Sequence, residues 1–67
     1  MTSRSVRNKL RWQAEKIEQN LLKAQGHLQF IDDLAEGKST YIDDNLPVLT
    51  IFLEEMLKTI RAFRQGL

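Results

Sequence analysis

Few side chains of this chain stand at spacings that chemistry could use. His27 is the only histidine and there is no cysteine. A bound metal needs several nitrogen, sulfur or carboxylate donors converging on it, and His27 has no second histidine or carboxylate at ligating spacing on its own helix. It reads as a boundary residue with a polar tip. Glu15 and Glu18 share a helix face, yet the Glu-x-x-His pattern of carboxylate-bridged metal bundles is missing. Asp43-Asp44-Asn45 has the acidity of a calcium loop without its glycine or its closing glutamate, so a cap and turn explain it better. No serine or threonine has an evident base, and there is no glycine-rich phosphate loop. The expectation is a non-enzymatic protein with no cofactor and no metal.

Charge placement says more. The net charge is only +1, but Arg4, Arg7, Lys9, Arg11 and Lys16 lie near the start of the chain and Lys58, Arg61 and Arg64 near its end. The acids Asp32, Asp33, Glu36, Asp43, Asp44, Glu54 and Glu55 fall between. If the two halves fold back on each other, one end of the molecule is basic and the other acidic. On the first helix this order opposes the helix dipole, which favours acids at the N-terminus and bases at the C-terminus by roughly 0.3 to 1 kcal/mol per group. Local helix stability therefore does not explain it. On the second helix the same placement agrees with the dipole, and Lys58, Arg61 and Arg64 carry less information.

Two readings of the polarity compete. Two hairpins packed antiparallel would set the basic end of one beside the acidic end of the other, with charge fixing the orientation. Alternatively, the basic end meets phosphates of a nucleic acid, with Arg4, Arg7 and Arg11 on one side of the helix and Trp12 stacking on a base or a partner. An acidic protein partner would use the same residues. A membrane surface is not expected as a partner, because the basic segment lacks a broad apolar face.

The elements that must position these residues are two helices. Leu10, Ala14, Ile17, Leu21, Ala24, Leu28, Ile31 and Ala35 recur at alternating steps of four and three, an apolar seam made to lie against other helices. Large and small residues alternate along it, so that neighbouring backbones approach closely at the alanines. Ser3 and Ser5 are suitable N-caps, Gly26 is tolerable inside a helix, and Gly37 is a stop. The first helix is placed at about 5–36, roughly 48 Å long at 1.5 Å per residue. Thr40 and Asp43 can cap a short helical turn. Pro47, which fits a first helical turn, puts the main second helix at about 46–65, ended by Gly66. Its seam is Leu46, Leu49, Leu53, Met56, Ile60, Phe63 and Leu67.

One short connection between two seams makes an antiparallel hairpin, and residues 1–67 form a single domain of the all-α class. So small a core supplies only roughly 3 to 5 kcal/mol, and with neither disulfide nor metal available, oligomerisation must reinforce it. Apolar residues exceed what the hairpin uses: Val48, Ile51, Phe52 and Leu57 flank the second seam, Leu34 flanks the first, and Leu22, Gly26 and Phe30 lie away from it. A homodimeric four-helix bundle with Leu22, Gly26, Phe30, Val48, Ile51, Phe52 and Leu57 at its interface is therefore expected. A docking groove for another protein is the functional counterpart of that reading.

In its heptad pattern and hairpin plan the chain resembles the small dimeric RNA-binding bundles of the Rop type, whose core layers also alternate small and large residues. That resemblance of plan implies a four-helix dimer and, as the alternative function, nucleic-acid binding through the basic end. The primary expectation is a protein-interaction or regulatory module. No apolar run spans a bilayer, and the segment Met1 to Arg7 has no signal-peptide core, so a cytoplasmic location is expected.

Overall fold

A computed structural model describes residues 4–67, and among these two helices and no strand are found. The helix α1 runs Arg4–Ala35 and α2 runs Thr40–Gln65. They lie against each other as a hairpin whose extents are 54 × 16 × 11 Å, a rod rather than a sphere. At 1.5 Å per residue α1 is about 48 Å long and α2 about 39 Å.

The turn follows from local backbone chemistry. Glu36 and Gly37 both have positive φ, at 52° and 69°, so the chain leaves α1 through two left-handed residues, the second a glycine that adopts this conformation at little cost. The Lys38 N–H then donates to the Ala35 carbonyl at 2.9 Å. Ser39 caps α2, its hydroxyl accepting from the Ile42 N–H at 3.2 Å.

The helix bounds differ from expectation in instructive ways. Ser5 lies within α1 rather than capping it, and Ser3 lies outside the described residues. The short turn expected at Thr40 is continuous with the second helix, which passes through Pro47 without a break. Pro47 removes only the bond from its own missing N–H to the Asp43 carbonyl. Asn45 Nδ2 donates to the Tyr41 carbonyl at 2.8 Å, and Thr50 Oγ1 to that of Leu46 at 3.1 Å. The Ser39 cap fixes the start of α2 upstream of the proline, and packing against α1 carries it past.

The hairpin core is thin. Among the described residues only Ala14, Leu53 and Leu57 are buried, at 2%, 8% and 4% exposure. Leu21, Leu28, Ile42, Leu46 and Ile60 are half-buried around them. Leu57, expected at a dimer interface, is therefore a core residue of the hairpin. Its place follows from α2 turning Leu46, Leu53, Leu57 and Ile60 toward α1, a stripe rotated from the one read in the sequence. Every described residue before Ala14 is exposed, and the difference in helix length, about 9 Å, leaves roughly the first one to two turns of α1 beyond the end of α2.

Candidate functional site

Each apolar seam is divided in two by the hairpin. On α1, Ala14, Leu21, Leu28 and Ala35 turn toward α2 and are buried or half-buried, while Leu10, Ile17 and Ile31 stay exposed. On α2, Leu46, Leu53 and Ile60 turn inward, as does the half-buried Leu67 just past its end, while Leu49, Met56 and Phe63 stay exposed. The uncovered halves meet on one side of the rod. There Ile17 and Leu21 of α1 line a shallow groove together with Phe52, Met56, Ile60 and Phe63 of α2. Phe52 is 65% exposed and Met56 54%. Helical periodicity places Gln13, Asn20 and Ala24 of α1 and Asn45 and Thr59 of α2 on the same side, with Lys9 and Lys16 at its outer margin, so this face carries no charge along its middle. Glu55 stands at its edge.

The opposite side is of another kind. Its groove runs between Leu22, Gly26 and Gln29 on α1 and Pro47, Thr50 and Ile51 on α2, with Asp32, Asp43 and Glu54 also in its lining. The residues expected to form one dimer interface are thus dispersed. Phe52 belongs to the uncharged face, Leu22, Gly26 and Ile51 to the acid-lined groove, Leu57 to the core, and Phe30 and Val48 are exposed outside both grooves. Conversely, Ile17, Leu49, Met56 and Phe63, read as hairpin core, are the residues left open. One seam in a four-helix bundle must face two neighbours at once, and a hairpin supplies only one of them.

At the other functional candidate, the basic end, three of the eight expected cations are already paired with carboxylates. The carboxylate of Glu18 is held by Arg61 Nε at 3.0 Å and by Arg64 Nη1. Its side chain is only 14% exposed. This cross-helix clamp joins the C-terminal turns of α2 to α1 and pairs the partly exposed Arg61 and Arg64 with a carboxylate. Lys58 forms an exposed pair with Glu55 at 3.5 Å. Sequence reading missed the clamp, although a carboxylate and two guanidiniums at inward-facing positions of opposed helices were its signal.

The projecting start of α1 keeps Arg4, Arg7, Lys9 and Arg11 exposed. Arg4, Ser5, Asn8, Lys9 and Trp12 line a shallow groove on it, and Lys16 Nζ lies 5.1 Å from the Trp12 ring centroid, a cation–π contact within one helix. Arg7 and Arg11 fall on a different side of the helix from Lys9 and Trp12, so the cations surround the tip instead of forming one stripe. Among the described residues no helix is long and apolar enough to cross a membrane. Comparison with protein-family models, with curated proteins and with solved structures finds no match for this chain.

Proposed function

We propose that this chain is a non-enzymatic association module: two hairpins join through their uncharged faces as an antiparallel four-helix homodimer, and its two basic tips engage an acidic partner. The observation that carries the reading is the convergence of open residues of both seams, Ile17 with Met56 and Phe63, and of the flanking Phe52 in one groove whose middle is uncharged. Area supports it. A compact monomer of 7.8 kDa exposes about 4,400 Å², and this hairpin exposes 5552 Å². The excess, roughly 1,150 Å², compares with the ~800 Å² per partner of a standard interface and the larger areas of obligate dimers.

Pattern and charge together favour the antiparallel arrangement. The stripe Leu10, Ile17, Ala24, Ile31 is symmetric about a point between Asn20 and Leu21. A two-fold axis there sets Ile17 against the partner's Ala24 and Leu10 against the partner's Ile31, large against small at the centre. It also lays the projecting basic segment along the acidic end of the partner. The placement of charge on α1, with no acid in its first turn and no base in its last, opposes its own dipole and is rational once a second rod lies alongside. Solution mass by light scattering, with melting temperature followed against concentration, tests the assembly. A monomeric mass with a concentration-independent melting point would remove it.

Nucleic acid is the alternative ligand for the tips. The groove of Arg4, Lys9 and Trp12 favours it, since a ring beside exposed cations is the arrangement that binds backbone and base together. Titrating the dimer with single-stranded nucleic acid, duplex and an acidic peptide across salt concentrations separates the two. Phosphate binding weakens by roughly 0.7 to 0.9 log units per log unit of salt for each phosphate neutralised. Absence of nucleic-acid binding at low salt would leave the acidic peptide as the ligand, and absence of both would reduce the tips to orienting the dimer.

A further inference from the structure

The groove on the side away from the uncharged face carries apolar residues that neither the hairpin nor the proposed dimer covers. We infer that it is a docking site for a basic amphipathic helix of another protein. Gly26 and Pro47, the two residues least suited to a helix interior, both lie in its lining, one from each helix. The hairpin itself does not require the glycine: a Cβ built on Gly26 meets nothing within 4 Å. A missing side chain there makes room for something approaching from outside. Leu22 and Ile51 beside it are exposed at 43% and 61% and would receive apolar side chains along one stripe of an incoming helix.

The charge of the groove selects the occupant. Asp32, Asp43 and Glu54 contribute carboxylates to its lining, and none of the lining residues is a cation. A helix with leucine-like residues on one stripe and lysine or arginine on its flanks satisfies both features. An acidic or neutral helix satisfies only the first. A second copy of this chain is disfavoured as occupant, because its own apolar stripe lies on the opposite side of the rod.

The test uses the intact chain and a synthetic leucine–lysine amphipathic helix as probe, with a leucine–glutamate helix of equal length as control. The lysine probe should bind with a Kd on the order of micromolar at low salt, and the glutamate control should not. Gly26→Leu, which fills the groove and improves helix propensity, should weaken binding at least about tenfold while the melting temperature stays at or above that of the parent and the solution mass is unchanged. Asp43→Lys with Glu54→Lys should weaken it similarly and remains informative if Gly26→Leu fails to fold. Undiminished binding by either variant, or none by the parent, would overturn the inference. Loss of a dimeric mass in Gly26→Leu would place a second copy in the groove and overturn it equally. Because binding and mass are read separately, a failure here differs from a failure of the proposed dimer.

Discussion

Met56→Glu is the most direct perturbation of the uncharged face, since Met56 sits between Phe52 and Phe63 and across from Ile17 in the groove. In the hairpin it is 54% exposed, so about half of the ~1.5 to 3 kcal/mol from burying such a side chain comes from association. Replacing it by glutamate forfeits roughly 1 kcal/mol per copy and adds the cost of a carboxylate with no cation along the middle of its face, several kcal/mol after relaxation. The two-fold axis applies the change twice. A total of roughly 6 kcal/mol weakens the dimer by about four orders of magnitude. Sedimentation equilibrium at tens of micromolar should therefore show monomer, and circular dichroism should show lost helix, because a hairpin with three buried residues does not persist alone. Ile51→Glu, on the other side of the rod, is the control and should keep the parent mass. A Met56→Glu variant that remains dimeric at the same concentration would refute the assignment of this face.

Glu18→Gln should lower the thermal midpoint, by about 1 to 2 kcal/mol in chemical denaturation. This lies between an exposed pair and a buried one, because Arg61 and Arg64 remain 49% and 38% exposed; an unchanged midpoint would show that the clamp contributes nothing. Glu36→Gly should stabilise by roughly 1 kcal/mol through relief of a non-glycine residue at φ 52°, since the Lys38–Glu36 pair it removes is exposed on both sides and worth little. Destabilisation measured by urea unfolding would count against that accounting. Removal of residues 1–12 should weaken dimerisation if the projecting turns lie along the partner, whereas a truncated chain of full dimer strength that has lost its ligand would make the tip a binding element only. Arg7→Glu or Arg11→Glu should abolish nucleic-acid binding and flatten its salt dependence if phosphate is the ligand, as fluorescence anisotropy would read.

The hairpin was legible because both seams hold the heptad spacing without interruption, and Gly37 marks where the first must end. The true start of α2 was hidden by Pro47. A proline in the first turn and a proline tolerated a few residues inside leave the same local sequence, and only the Ser39 cap decides between them. The division of each seam was hidden more deeply. Period alone places Leu46, Leu49, Leu53 and Met56 on one stripe, but which edge of the stripe meets α1 depends on the rotation of α2 about its axis. That rotation is set by collective packing, with Leu57 drawn into the core and Met56 left out. The Glu18 clamp needed the same information, since Arg61 and Arg64 become its partners only once the register of the two helices is fixed. Along the tip, by contrast, no tertiary contact intervenes, and exposure of Arg4, Arg7, Lys9 and Arg11 followed directly from composition.

Stability and association are hard to separate in such a molecule. Among the described residues two leucines and an alanine are buried, and half-buried side chains make the rest of the contact between the helices. In the proposed dimer, the covering of Ile17, Phe52, Met56 and Phe63 adds to that contact on only one side of the rod. The other side is free to carry residues that a stability-driven sequence would avoid, a glycine and a proline inside helices and three carboxylates about an apolar groove. It is the cost of those residues, borne by a chain with little stability to spare, that makes a role in recognition the economical account of that side.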